Sequence, residues 1–215
     1  MNRRMLWWGV GCLVAATVLG AIVVLGFADT PAIDRWWNSV VADQRVPWLL
    51  GFAHLTNRIG GGWIAILLVP LLVIAVLLLT RRWRSAVFAA LAFLLSAGAV
   101  QGLKQLFGRA RPDDMLVASD YGSFPSGHVA NAATIAVVIC VIFPRVWTIV
   151  LGALWVLGMA YSRTLLSVHW ATDTLGGALA GAGVVLMLAA LLGDWVQGRR
   201  PQSDPPIGWK AARSS

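Results

Sequence analysis

Six apolar runs follow one another between Met5 and Leu192, most of them about as long as a bilayer is thick. They cover about Met5 to Ala28, Trp63 to Leu79, Ser85 to Phe107, Ser126 to Phe143, Val146 to Leu166 and Ala171 to Leu192. A helix needs roughly 20 apolar residues to cross hydrocarbon, and it satisfies all its backbone groups internally while doing so. The expected fold is therefore all-α, an integral membrane bundle of six transmembrane helices. Residues 1–196 are expected to form one transmembrane domain, and residues 197–215, with three prolines, a disordered tail. Charged residues make up 12% of the chain and apolar ones 59%, against roughly 25% charged in soluble domains. A cleaved leader ending at Ala28 is the rival reading of the first run. That run exceeds the 7–15 residues usual for such a leader's apolar region.

An even number of spans puts both termini on one side, and the charges say which side that is. Arg3, Arg4, Arg81, Arg82, Arg84, Arg145, Arg199, Arg200, Lys210 and Arg213 lie on the terminal side, opposed there only by Asp194 and Asp204. The other side carries seven cations and seven aspartates. Ten minus two against seven minus seven predicts cytoplasmic termini by the positive-inside rule. The net charge of +8 is thereby read as a cytoplasmic surface facing lipid, and no nucleic-acid partner is expected. Between the first two runs, Asp29 to Arg58 is polar and carries Trp36, Trp37 and Trp48. That pattern suits short helices at headgroup depth. Cys12 and Cys140 fall inside apolar runs and suggest neither a disulfide framework nor a zinc motif.

Three stretches that carry charge converge on the outer face. Lys104, Arg109 and Arg111-Pro112 close the third span, Pro125-Ser126-Gly127-His128 open the fourth, and Arg163, His169 and Asp173 occupy the junction of the last two. Cations held close together at membrane depth repel one another unless an anion lies among them, and such groups usually mark a functional site. Proline, serine and glycine at a helix start leave free N–H groups that bind anions. Asp173 follows His169 by four residues, so its carboxylate can hold one imidazole nitrogen and leave the other free as base or nucleophile.

These residues resemble the type 2 phosphatidic acid phosphatases. The family's three-part signature is Lys, six residues, Arg-Pro; then Pro-Ser-Gly-His; then Ser-Arg, five residues, His, three residues, Asp. It reads here as Lys104…Arg111-Pro112, Pro125-Ser126-Gly127-His128 and Ser162-Arg163…His169…Asp173, without departure across residues 104–173. The resemblance implies that His169 attacks phosphorus to form a phosphohistidine and that Asp173 orients it. It implies that His128 protonates the leaving oxygen, while Lys104, Arg111, Ser126, Gly127 and Arg163 hold the phosphoryl oxygens. Arg109 lies outside the signature and is read as a surface cation. No metal and no cofactor are expected, because three cations oppose a divalent ion even though His128, His169 and Asp173 are ligand types that suit zinc.

The expected function is hydrolysis of the terminal phosphate of a membrane lipid phosphate or pyrophosphate at the outer face of the cell membrane. Undecaprenyl pyrophosphate, phosphatidylglycerol phosphate and phosphatidate all fit, and the sequence does not choose among them. A lipid-phosphate transporter could use the same cations for binding, but it has no need of two histidines and an aspartate. A haloperoxidase-like enzyme holding vanadate is a third reading, disfavoured by the six spans.

Overall fold

The computed structural model describes residues 1–26, 29–61 and 64–198. Among them every regular element is helical. The elements are α1 (Arg3–Leu25), α2 (Ala32–Ala42), α3 (Pro47–Gly60), a π-helical turn (Ile64–Leu68), α4 (Val69–Leu79), α5 (Trp83–Phe107), α6 (Gly127–Ile142), α7 (Val146–Leu165) and α8 (Ala171–Val196). Of the tail expected at residues 197–215, all but 197 and 198 lies outside the described residues, as do the last residues of the first run and the start of the second.

Four helices, α1, α5, α7 and α8, are long and apolar enough to cross a membrane. The second and fourth apolar runs give shorter apolar helices, α4 with 11 residues and α6 with 16. Pro70 sits in the first turn of α4. It has no N–H to donate and its ring crowds the turn before it, and the wider π turn falls at that place. Pro144 follows the end of α6, and the residue before a proline is biased away from helix.

The bundle is built around α8, which packs against α1, α5 and α6. Its small residues allow this. A Cβ at Gly177 would collide with the Ser126 carbonyl, and one at Gly181 with the Ala130 carbonyl. Backbones of α6 and α8 thus run in contact, the close approach that small residues permit between membrane helices. The outward faces of α1, α4 and α7 present exposed Val18, Ile22, Leu71, Val76, Leu154 and Leu157. An apolar exterior around a packed interior is what a lipid-facing helix requires.

The polar segment after α1 forms two short helices. Helix α2 packs on α7 and α8, and α3 packs mainly along α7. Asp34 of α2 is fully buried, and an ionised side chain is found there only with partners. Those partners belong to the site.

Candidate active site

Three junctions at one end of the bundle deliver the polar residues. At the first, α5 closes on Gly108, whose left-handed backbone (φ 50°) lets its N–H reach the Lys104 carbonyl at 2.9 Å. Glycine takes that conformation without the Cβ penalty. The reversal buries Lys104 and Arg109 and brings Arg111 back over the site. At the second, Ser126 precedes α6, and its N–H donates to the Asp173 carbonyl at 3.0 Å. Among the described residues the N–H groups of Gly127, His128 and Val129 have no acceptor. A helix start of this kind favours an anion.

The third junction carries the histidine–aspartate pair. Helix α7 ends at Leu165, and Ser167 takes a left-handed backbone (φ 50°) before α8 begins at Ala171. His169 therefore precedes α8 and does not share a helical turn with Asp173. Asp173 reaches back as a helix cap, with Oδ2 accepting from the Trp170 N–H at 2.8 Å, a favourable place for a carboxylate. The same Oδ2 stands 3.6 Å from His169 Nδ1, just outside hydrogen-bonding reach. Such contacts often tighten only when substrate binds.

The other imidazole nitrogen, Nε2, lies 3.3 Å from an Arg111 Nη1. Burial first, and then the cations of Arg111, Arg163 and Lys104, hold the His169 imidazole well below its ordinary pKa. It is a neutral ring surrounded by positive charge. Arg163 donates to Asn57 of α3, while its Nε has no partner. Ser126 Oγ and His128 Nε2 are likewise buried without a hydrogen-bond partner among the described residues. Buried polar groups without partners are uncommon and call for an explanation. A Cβ at Gly61 would collide with His128 Nε2, so the α3 end closes one side of the site.

All eight residues expected from the sequence meet here: Lys104, Arg111, Ser126, Gly127, His128, Arg163, His169 and Asp173. Arg109 departs from its expected surface position. It is 8% exposed and lies between two fully buried carboxylates, 2.6 Å from Asp173 Oδ1 and 2.7 Å from Asp34 Oδ2. Asp34 also accepts from the Thr172 N–H at 3.0 Å and the Thr172 hydroxyl at 2.7 Å. A second tie joins α2 to the same loop. Asp114 accepts from Arg45 at 2.8 Å, Asn38 at 3.2 Å and Ser167 at 3.0 Å. Although burial opposes it, the hydrogen bonds from these three residues hold its carboxyl below the usual range. Asp34, Asn38, Asn57 and Arg109 are the residues that sequence reasoning missed. The available signal was an aspartate and an arginine next to apolar runs, each needing an opposite charge.

Beside His128 opens a cavity of about 310 Å³ between α3, α4, α6 and α7. Its walls are largely apolar and include Ile59, Val69, Ile135, Leu151 and Trp155.

A family model described as PAP2 superfamily matches residues 85–197, just over half the chain. An undecaprenyl-diphosphatase of Sulfolobus acidocaldarius is 28% identical over 121 residues, 52% of this chain and 58% of that protein. A lipid A 4'-phosphatase of Bacteroides thetaiotaomicron is 28% identical over 129 residues, 51% of this chain and 53% of that protein. The matches thus span about half the length of these curated relatives. The crystal structure of a transmembrane PAP2-type phosphatidylglycerolphosphate phosphatase from Bacillus subtilis superposes with a TM-score of 0.72 at 23% identity. That superposition covers 92% of this chain and 100% of that one, a likeness of fold.

Proposed function

The chain belongs to the PAP2 superfamily, and on that footing we propose that it is a metal-independent membrane phosphatase for lipid phosphates or pyrophosphates, acting through a phosphohistidine. One observation carries the reading. Ser126 Oγ, His128 Nε2 and Arg163 Nε are buried without a hydrogen-bond partner among the described residues, close to Lys104, Arg111 and an imidazole kept neutral. A phosphoryl group offers acceptors to every one of those donors.

The placement supports the following reaction. His169 Nε2 attacks phosphorus as the bond to the lipid oxygen breaks, and His128 gives that oxygen its proton. Asp173 stabilises the imidazolium through Nδ1, as a carboxylate does for other catalytic histidines. Water then attacks phosphorus, His128 takes its proton, and the N–P bond breaks to release inorganic phosphate and free His169. Lys104, Arg111, Arg163, Ser126 and the N–H groups at the start of α6 stabilise charge on the phosphoryl oxygens. Charge stabilisation and positioning are the main demands of phosphoryl transfer.

The apolar cavity beside His128 supports a lipid substrate, its chain lying between α6 and α7 while the phosphate meets the histidines. Residues 1–196 form one domain, with α4 and α6 completing six spans, the termini cytoplasmic and the site outward. The charge balance supports that orientation. The cations around His128, His169 and Asp173 oppose a divalent metal.

The test is phosphate release from undecaprenyl pyrophosphate, phosphatidylglycerol phosphate and phosphatidate by purified protein in detergent with excess EDTA. Release from at least one lipid, abolished in His169→Ala, is expected. Loss of release with EDTA and recovery with zinc or magnesium would point to a metal enzyme. Binding without release from any of them would favour a lipid-phosphate carrier.

A further inference from the structure

Residues 120–122 lie across two of the site's three cations. Asp120 Oδ1 is 2.7 Å from Arg111 Nη2 and 3.5 Å from Lys104 Nζ. The Asp120 carbonyl accepts from Arg111 Nε at 3.0 Å. The Gly122 carbonyl accepts from Lys104 Nζ at 2.7 Å and from Arg111 Nη2 at 2.9 Å. Arg163, the third cation, has no carboxylate near enough for an ion pair among the described residues and keeps Nε without a partner.

The burial of the partners differs sharply. The Lys104 and Arg111 side chains are 4% and 8% exposed, whereas that of Asp120 is 64% exposed. Asp173 is the reverse case, a fully buried carboxylate fixed by Arg109 and the Trp170 N–H. An exposed carboxylate on a loop can leave its cations at small cost. A buried and capped one cannot. Although burial opposes it, the charges of Lys104 and Arg111 hold the Asp120 carboxyl below the usual carboxylate range, so it is anionic at neutral pH.

We propose that Asp120 is a resident counterion of the phosphate site, displaced from Lys104 and Arg111 by the substrate's terminal phosphate. The proposal rests on the phosphatase reading. It gives the site a charge threshold. A terminal phosphate brings up to two negative charges and three free oxygens, enough to replace both contacts. A phosphodiester headgroup brings one charge and two free oxygens, so it gains little by expelling a carboxylate of equal charge. Asp120 thereby biases the site against the diester phospholipids that surround it, and it returns to the cations when inorganic phosphate leaves.

The test variant is Asp120→Asn, which keeps the shape and removes the charge. An ion pair whose carboxylate stands in solvent weighs little, and two of them together convert to a change of about 2- to 30-fold in binding. The inhibition constant for inorganic phosphate and the KM for the lipid phosphate should each fall by a factor in that range. Inhibition by micellar phosphatidylglycerol, a diester, should strengthen in the same variant. Asp120→Glu should stay near the parent. Unchanged or weaker phosphate binding in Asp120→Asn would overturn the proposal and make Asp120 a support for the two cations. Calorimetric titration of inorganic phosphate into His169→Ala protein, with and without Asp120→Asn, reads the same difference without turnover. If the parent releases no phosphate from any lipid, the phosphatase reading fails while this binding comparison still decides the role of Asp120.

Discussion

Replacing Arg109 by methionine tests whether the buried ion chain beneath the histidine exists and matters. Methionine keeps much of the stem and removes the guanidinium, which lies within 2.7 Å of both Asp34 and Asp173. Two fully buried carboxylates would then face each other without a cation. Breaking a buried pair by deleting one partner costs about 3–5 kcal/mol, because the remaining charge is left uncompensated. The protein can relieve part of that by protonating one aspartate. Asp173 in its protonated form would no longer stabilise the His169 imidazolium. In enzymes where an aspartate orients a histidine, its removal lowers kcat by about 10⁴-fold, which sets the ceiling for Arg109→Met. The expected outcome is a clear fall in thermal stability in detergent and a loss in kcat of at least about tenfold, with KM changing far less. Asp34→Asn should be milder, since the amide can still accept from the Thr172 N–H and Arg109 keeps Asp173. In the double variant the two losses should not add, with an interaction of about 0.5–3 kcal/mol. A stability change within about 0.5 kcal/mol and an unaltered kcat in Arg109→Met is the behaviour of a surface cation. That result would refute the network.

Orientation is tested with single cysteines at Ala118 and Gln197, both exposed, in a background lacking Cys12 and Cys140. An impermeant thiol reagent on intact cells should label position 118 and spare 197, and the opposite pattern would invert the topology. The cations around His169 make a pH prediction with a definite sign. In the proposed mechanism the attacking imidazole is neutral, and burial together with Arg111, Arg163 and Lys104 favours that form as the pH falls through the ordinary value of about 6.5. Arg111→Gln removes one of those charges, so the acid limb of kcat/KM should move to higher pH. A limb that stays put or moves lower would mean that His169 titration does not govern it.

Much of the candidate site was legible because its residues lie in three short stretches. Lys104 to Arg111 spans one helix end, Pro125 to His128 one helix start, and Arg163 to Asp173 one interhelical turn. The apolar runs were legible for the same reason, since each span satisfies its own backbone. Asp34 and Arg109 were not, because their meaning lies in each other, 75 positions apart. Nothing local announces that Arg109 is buried. The polar segment between the first two runs read as interfacial helices, and the structure gives it more to do. Through Asp34, Asn38 and Arg45 it braces the loop carrying His169, and through Asn57 it holds Arg163. The shortness of α4 was also hidden, for a proline in an apolar run does not announce a π turn ahead of it.

The central claim is that His169 carries the phosphoryl group and His128 moves the proton. It is tested most directly by trapping the covalent intermediate in His128→Ala protein with a radiolabelled aryl phosphate, whose leaving group needs little protonation. Attack can then proceed while water activation is impaired. The account predicts an acid-labile, base-stable phosphohistidine that maps to residue 169, and no adduct in His169→Ala. An adduct on His128 in the His169→Ala protein would exchange the two roles, and undiminished phosphate release by that variant would contradict the mechanism altogether.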